Sequence, residues 1–458
     1  MRALFATAEL VPLAKVGGLA EASSGLVRGL QELGVDVTVV VPDYTGARLE
    51  GEQRLTLEAP RWAKPASARL GELPGMGPLA LVDVPGTARP HPYLDDEGRG
   101  WADNDRRFLA FSAATAALVE HIRPDVLHLN DWHTGAALAF LNRPPPSVLT
   151  IHNLAYQGVA PGAWLSRLPR RPEAYEWYGS INPLAGGIVL ANRVVAVSPN
   201  YAREIVRPES GFGLDRVLAA KGGHLIGIRN GIDTTVWGPA TDRLLDTHFD
   251  ADLTGKRIAR KALLTELGWK EGREPLVGMV TRLTDQKGVD LALEAARYLP
   301  GLPARMVLLG AGERGLARQA RLLAEAMPER LAFREGYDEP LAHRIFAGSD
   351  LYLMPSRFEP CGLAQMQAMA YGALPVVTDV GGLRDTVLDA DREPVRGTGF
   401  VAPEVTAAAV VDALHRAARA WRATKRRRMI QERGMAADWS WAVPAEEYQD
   451  LYRELLGR

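Results

Sequence analysis

Residues 355–386, PSRFEPCGLAQMQAMAYGALPVVTDVGGLRDT, contain the pattern that decides the fold. The short apolar run at residues 351–354 precedes them and predicts a buried strand of a parallel sheet. After a loop that contains Glu359, apolar residues at helical spacing predict a helix that stops at Gly372. A second apolar strand follows at residues 374–377. Strand, loop, helix and strand in this order predict an open α/β sheet.

The loop between the first strand and the helix is a candidate ligand site. Ligands of open α/β sheets bind beyond the carboxyl ends of the strands. The N-terminus of a helix offers N–H groups and a positive dipole end to an anion. The loop at Cys361, Gly362 and Leu363 could therefore hold a diphosphate, with Glu359 binding a neutral polar group beside it. Taken alone, the loop is equally compatible with Glu359 being a surface carboxylate that only caps the helix.

The bulk composition is that of an ordinary globular protein. The chain has 458 residues, of which 47% are hydrophobic and 24% charged, so two or three domains with large cores are expected. A formal net charge of −1 gives no overall attraction to nucleic acid or to an anionic membrane. No apolar run approaches the ~20 residues of a membrane span, and the N-terminus resembles a first strand rather than a signal peptide. The single cysteine, Cys361, excludes an internal disulfide and fits a cytoplasmic protein.

The N-terminal segment predicts a second ligand loop. Apolar residues predict a strand at residues 2–7, a helix that ends at Gly34 and another strand at residues 35–41, which is the start of a Rossmann-type domain. The first loop carries Lys15, Gly17 and Gly18. Glycines let a backbone approach a bulky anion, and a lysine adds a mobile charge. The alternative is a plain tight turn with a solvated lysine.

Polar clusters follow two later strands of this half. Residues 125–129 lead into Asp131 within the run NDWH, and residues 147–151 lead into His152 within HNLAYQG. Both clusters are expected at the ligand edge of the sheet. A lone histidine after a strand is more often structural than catalytic. A zinc site is a poor alternative, because the chain has no HExxH sequence and no paired cysteines.

The second half repeats this arrangement. Arg282 and Lys287 follow a strand at residues 275–280 and could reach one diphosphate, although both could simply be solvated. The run GAGERG at residues 310–315 matches GxGxxG and would by itself suggest NAD, a weak signal. Tyr337 follows another strand and could stack on a nucleobase or pack in the core.

The string SRFEPCGL resembles the signature loop of bacterial glycogen synthases and plant starch synthases. The strings KVGGLA, DWH, HNLAYQG, RNGID and TRLTDQKG also resemble motifs of this family in the same order, so the resemblance spans nearly the whole chain. It implies the GT-B architecture, an α/β fold in which two Rossmann-like domains face a central cleft. The implied domains are an acceptor-side domain at residues 1–238, a donor domain at 239–438, and a C-terminal helix at 439–458 that returns to the first domain.

The resemblance implies a retaining glucosyltransferase that moves glucose from ADP-glucose to the non-reducing 4-OH of an α-1,4-glucan such as glycogen. A related GT-B enzyme using UDP-glucose or another acceptor is the alternative. A purine covers more of the Tyr337 ring than a pyrimidine, which weakly favours ADP-glucose. The family uses no metal ion or other cofactor, so the DxD triplets at residues 103–105, 250–252 and 389–391 are expected to be solvated acids.

The resemblance also assigns roles to individual residues. The residues expected to take part in catalysis are Glu359, His152, Arg282 and Lys287. The residues expected to bind substrate are Lys15, Gly17, Gly18, Asp131, Asn230, Tyr337, Cys361, Gly362 and Leu363. Three positions depart from the family pattern: Glu21 stands where aspartate is usual, and Ala185 and Ala370 stand where basic residues are common.

Two hypotheses from other functional classes remain at this point. One is an NAD-dependent dehydrogenase, based on the GAGERG run. The other is a non-catalytic glucan-binding protein, because the ten tryptophans could line a sugar groove.

Overall fold

The computed structural model describes residues 1–95 and 97–457, which form two compact units. The first unit contains Met1–Gly231 and the C-terminal segment from Trp441 onward, and the second contains Ile232–Ser440. The chain thus passes between units after Gly231 and Ser440, where the sequence predicted boundaries after residues 238 and 438.

The first unit is built on a nine-stranded sheet with the order β12-β11-β7-β6-β1-β2-β5-β4-β3. The strands from β12 to β5 pair in parallel, whereas β5, β4 and β3 are antiparallel. A small antiparallel sheet has the order β8-β10-β9. The strands are β1 (Arg2–Ala6), β2 (Asp36–Pro42), β3 (Glu50–Thr56), β4 (Ser67–Leu73), β5 (Gly77–Asp83), β6 (Val126–Asn130), β7 (Ser147–Ile151), β8 (Ala160–Pro161), β9 (Glu176–Trp177), β10 (Ser180–Ile181), β11 (Arg193–Ala196) and β12 (Leu225–Gly227).

Helices cover the parallel part of this sheet. The central strands β6 and β7 are buried along their whole length, and their polar residues His128 and Thr150 are hydrogen-bonded to each other at 2.7 Å. The helices of this part of the chain are α1 (Gly18–Glu32), α2 (Asn104–Ile122), α3 (Asp131–Gly135), α4 (Pro183–Leu190), α5 (Pro199–Glu204) and α6 (Asp215–Ala219).

The second unit has a six-stranded sheet, entirely parallel, with the order β15-β14-β13-β16-β17-β18. Its strands are β13 (Leu276–Val280), β14 (Arg305–Gly310), β15 (Leu331–Glu335), β16 (Leu351–Met354), β17 (Leu374–Thr378) and β18 (Phe400–Ala402). Its helices are α7 (Thr254–Glu266), α8 (Val289–Ala296), α9 (Arg314–Ala326), α10 (Glu339–Gly348), α11 (Ala364–Ala370), α12 (Gly381–Thr386), α13 (Ala407–Arg422) and α14 (Thr424–Ala436). Helix α13 ends where the chain leaves helical geometry at Ala423, with a ψ of 89°, and α14 then packs against α11.

The C-terminal helix α15 (Ala442–Leu455) packs on the first unit, as predicted. Small residues of α1 make this close approach possible, because a Cβ atom at Gly25 would lie 1.9 Å from Trp441 Nε1. Two tyrosine hydroxyls of α15 bind the buried face of the sheet: Tyr452 contacts His128 Nδ1 at 2.5 Å, and Tyr448 contacts Thr150 at 3.2 Å. None of the helices in the described part of the chain is long and apolar enough to cross a membrane.

Candidate functional site

The predicted residues of the second unit all follow the carboxyl ends of parallel strands. Arg282 and Lys287 follow β13, Tyr337 follows β15 and Glu359 follows β16. Because every strand of this sheet runs in the same direction, these ends lie along one edge. This is the edge at which open α/β sheets bind ligands.

Glu359 is buried and ion-paired. Its side chain has 6% relative exposure. Its Oε2 atom lies 2.5 Å from Lys287 Nζ and accepts a hydrogen bond from Ser356 Oγ at 3.2 Å. Helix α11 begins at Ala364, after an N-cap residue, Leu363, that makes no side-chain cap hydrogen bond. The surface-cap interpretation of Glu359 is therefore wrong.

Two neighbouring turns fix the backbone of this loop. A Cβ atom at Gly381 would lie 1.9 Å from the Glu359 carbonyl oxygen, and Gly381 has a φ of +46°. The next residue, Gly382, donates its backbone N–H to the same carbonyl at 2.9 Å. On the other side, Gly288 has a φ of +61°, and a Cβ atom there would lie 1.9 Å from the Pro355 carbonyl oxygen. Two positions that only glycine can fill thus hold the loop and place the Glu359 carboxylate.

The predicted anion-binding segment leads directly into α11. Cys361 is buried, and its carbonyl, like that of Gly362, accepts a hydrogen bond from Gln365 Nε2, at 3.1 and 2.8 Å respectively. Leu363 is the N-cap residue. The first amides of a helix have no partner within the helix, and those of α11 follow this segment directly.

Arg282 and Tyr337 are exposed at the same sheet edge. The Nη2 atom of Arg282 lies 3.5 Å from Gln286 Oε1, at the limit of hydrogen bonding. Tyr337 is 73% exposed, so the interpretation of this residue as a core tyrosine is wrong. The glycine run at residues 310–315 supports the Arg282 loop, because Leu283 donates to the Ala311 carbonyl and accepts from the Glu313 amide, both at 2.8 Å.

In the first unit, the predicted ligand loop after β1 is held in place by Glu9, a residue that the sequence did not single out. Glu9 is 4% exposed. Its Oε2 accepts hydrogen bonds from the amides of Val16 and Gly17 at 2.8 and 3.0 Å, and its Oε1 accepts one from Tyr93 Oη at 2.8 Å. The glycine that follows Gly17, Gly18, begins helix α1. No local pattern marks Glu9, since its partners lie up to 84 residues away.

Lys15 forms an ion pair with Glu21, with 2.8 Å between Nζ and Oε1. The two side chains are 30% and 22% exposed. Glu21, which stands where the family usually has aspartate, therefore contacts Lys15, the lysine that we predict to bind phosphate.

Asp131 and His152 are brought together at the ends of β6 and β7. Asp131 is buried, with a φ of +54°, and its Oδ1 accepts the backbone N–H of His152 at 2.7 Å. Burial raises the pKa of Asp131 to about 7 and lowers the pKa of His152 to about 3. His152 Nε2 lies 2.9 Å from Asn130 Oδ1. The imidazole is therefore neutral at physiological pH and suited to hydrogen bonding with a hydroxyl rather than to charge stabilisation.

The pKa of Asp131 gives a testable pH dependence of stability. An unfolded aspartate ionises near pH 3.9, whereas folded Asp131 keeps its proton until about pH 7. Between these values the folded state binds more protons, so the contribution of this group to stability falls as the pH rises. We expect the wild-type melting temperature, measured relative to that of Asp131→Asn, to fall between pH 5 and pH 8. A constant or rising difference would contradict a raised pKa.

Asn230 is buried and follows β12 at the same edge of the first sheet. Its backbone carbonyl accepts a hydrogen bond from Arg229 Nη1 at 2.8 Å. Ala185 is buried in the first turn of α4, where Asn182 accepts its N–H.

The DxD triplets are engaged in structural contacts. Asp389 is buried and pairs with Arg416 at 2.8 Å, so its interpretation as a solvated acid is wrong. Asp103 pairs with Arg89 at 2.6 Å, and Asp252 accepts the backbone N–H of Thr254 at the start of α7. Over residues 1–95 and 97–457, no group of three or more His, Cys, Asp or Glu side chains is arranged to hold a metal ion.

Comparison with protein families gives two matches that together cover most of the chain. The family model of the starch synthase catalytic domain matches residues 2–220. The family model of glycosyl transferases group 1 matches residues 266–434.

Individual proteins match over the full length. The glycogen synthase of Halorhodospira halophila is 44% identical over 475 residues, covering 100% of this chain and 99% of that protein. The glycogen synthase of Thioalkalivibrio sulfidiphilus is 43% identical and is fully covered. Among solved structures, the catalytic domain of starch synthase IV from Arabidopsis thaliana, bound to ADP and acarbose, has a TM-score of 0.89 and 32% identity, covering 100% of this chain and 99% of that one.

Proposed function

Because this chain belongs to the glycogen synthase and starch synthase family of glycosyltransferases, we propose that it transfers glucose from ADP-glucose to the non-reducing 4-OH of an α-1,4-glucan, with retention of configuration. The observation that carries the proposal is the buried Glu359–Lys287 pair beside the start of α11. It lies in the half of the chain that matches glycosyl transferases group 1. Both family models describe glycosyltransferase regions, so the dehydrogenase hypothesis is wrong.

The donor's leaving group determines what the second unit must supply. The reaction builds an oxocarbenium-like sugar and increases negative charge on the departing diphosphate, and preorganised cations and N–H groups lower that barrier. We assign this role to Arg282, Lys287 and the amides at residues 361–363. Positive charge from the protein serves this role, so the proposal includes no metal ion or other cofactor.

Glu359 is assigned to the glucose hydroxyls. Its carboxylate is fixed by Lys287 and Ser356 and accepts hydrogen bonds without needing to reorganise. Lys287 contacts this carboxylate directly, so one ion pair would hold the group that binds sugar next to a cation that binds phosphate. Tyr337, exposed at the same edge, is assigned to the adenine ring.

The first unit contributes polar groups for the sugars. His152, neutral and hydrogen-bonded to Asn130, is assigned to a glucose hydroxyl. Asp131 holds the His152 backbone, and Asn230 is assigned to substrate binding. We also propose a cytoplasmic location, which suits a chain whose single cysteine cannot form an internal disulfide.

Lys15 is assigned a contact with the donor diphosphate, in the loop shared with Gly17 and Gly18. We expect Lys15→Ala to lower kcat/KM for the donor by roughly 30- to 150-fold, equivalent to about 2–3 kcal/mol for a charge-assisted contact. The melting temperature should change little, because the side chain is partly exposed. The matched control is Lys64→Ala, in an exposed ion pair of the same unit. If the Lys15→Ala variant had an unchanged kcat/KM, the assignment of Lys15 to the donor diphosphate would be wrong.

The decisive experiment is a donor panel with glycogen as acceptor. We expect release of ADP from ADP-glucose with a higher kcat/KM than release of UDP from UDP-glucose. Equal or better use of UDP-glucose would overturn the donor assignment. A purified, folded protein that binds glycogen but releases neither nucleotide would instead favour the glucan-binding hypothesis.

A further inference from the structure

Two neighbouring loops of the first unit hold aromatic residues in an unusual backbone conformation. Tyr178 has a φ of +49° and is followed by Gly179 at +81°, and Phe212 has a φ of +49° and is followed by Gly213 at +82°. Bulky residues rarely adopt this left-handed region. In both loops the aromatic side chain is exposed, 90% for Tyr178 and 41% for Phe212.

The Tyr178 turn connects β9 and β10. Trp177 pairs with Ser180, so Tyr178 and Gly179 form a two-residue hairpin turn with positive φ at both positions. Such turns favour Asn-Gly, because asparagine tolerates this conformation. A tyrosine is strained in this conformation. Because its ring is 90% exposed, burial of the ring contributes little free energy to offset the strain. Strain of this kind is characteristic of functional positions.

Close contacts join these loops to the segment that carries His152. Gln157 Nε2 donates to the Phe212 carbonyl at 2.9 Å, and a Cβ atom at Gly213 would lie 3.7 Å from the Trp177 ring. The residue before Gln157 is Tyr156, which is 52% exposed. These contacts bring the loops of Tyr156, Trp177, Tyr178 and Phe212 together, and the rings of Trp177 and Tyr178 meet edge to face at 5.2 Å. We call these four residues the aromatic platform; Tyr156 places it on the same segment of chain as His152.

We propose that the aromatic platform binds a segment of the α-glucan acceptor through stacking of glucose rings on its aromatic faces. This inference rests on the proposed function, which makes a glucan the polymer that the enzyme handles. A pyranose ring presents a flat face of C–H groups to an aromatic ring, and side-chain amides such as Gln157 suit the hydroxyls around it. An exposed apolar cluster rimmed by polar groups is typical of a binding surface. Because the aromatic platform includes Tyr156, from the segment that carries His152, we favour the acceptor glucan over other occupants of this surface.

The test uses the full-length enzyme and Tyr178→Asn. Asparagine removes the ring but suits the turn, so the melting temperature should stay the same or rise. We expect the Kd for glycogen, measured by affinity electrophoresis without donor, and the KM for glycogen to rise by about fivefold, the scale of one lost aromatic stack. KM for ADP-glucose should not change. Tyr178→Phe should retain wild-type affinity, and Tyr298→Ala, which removes a 55% exposed tyrosine of the second unit, should have no effect.

The outcomes separate this inference from the proposed function. A wild-type enzyme that transfers glucose, together with a Tyr178→Asn variant of unchanged glycogen affinity, would overturn the platform and leave the function in place. An unchanged affinity accompanied by loss of a dimer in sedimentation would assign the surface to a second copy of the chain and likewise overturn glucan binding. A wild type without transferase activity whose glycogen affinity still falls in Tyr178→Asn would support the platform and reject the proposed reaction.

Discussion

Replacement of Glu359 by alanine is expected to lower kcat by about 10²-fold or more, because a sugar that is no longer held in one orientation reacts far less often. The carboxylate is buried, and its contacts with Lys287 and Ser356 fix its position. Its removal takes away both the proposed hydroxyl acceptor and the partner of a proposed phosphate-binding cation. Steady-state kinetics with ADP-glucose and glycogen, well below the melting temperature, give the measurement.

The control for Glu359→Ala must separate catalysis from stability. Loss of an ion-pair partner also destabilises, although Lys287 retains 19% exposure and can be partly solvated. Glu266→Ala removes a more exposed ion pair, with Arg344, in the same unit and should leave kcat unchanged. If Glu359→Ala lowered the melting temperature but kept the wild-type kcat, Glu359 would be structural only.

Elements buried on both faces were the easiest to predict from sequence. Strand β16 lies where its continuous apolar run placed it, since such runs are characteristic of central parallel strands. The edge strand β3 has almost wholly exposed residues and gave no apolar signal. It forms through pairing with β4, which is a property of the assembled sheet.

The site divides in the same way. The location of the site residues at one edge of each sheet was predictable, because polar residues directly after parallel strands must lie at that edge. The side-chain contacts between site residues were not predictable. Lys287 and Glu359 are 72 residues apart, and neither loop contains a pattern that indicates their ion pair. Glu9 was missed because a carboxylate that binds backbone amides has no sequence signature. The glycine pair at residues 381–382 was visible, but its role in holding the Glu359 carbonyl required the structure.

That role leads to the second prediction of large effect, the substitution Gly381→Ala. The added methyl group would lie 1.9 Å from the Glu359 carbonyl oxygen and 2.8 Å from its carbon, and alanine is strained at a φ of +46°. Both atoms belong to a backbone that has no rotamer to relieve the clash, so the loop itself must move. We expect the second unit to be destabilised by about 2–4 kcal/mol, a loss on the order of 10 °C in melting temperature. The displaced Glu359 should also lower kcat in whatever protein remains folded.

The matched control is Gly315→Ala in the same unit. Gly315 lies in helix α9, where an added methyl group would have no atom of the described residues within 4 Å beyond its own helix backbone and chain neighbours, and alanine is the better helix former. Its melting temperature should equal or exceed that of the wild type. A Gly381→Ala variant as stable and active as Gly315→Ala would mean that the 381 turn can shift without moving Glu359. In that case the carboxylate must be fixed by its own contacts with Lys287 and Ser356, and Lys287→Ala should then cause the loss of kcat that Gly381→Ala did not.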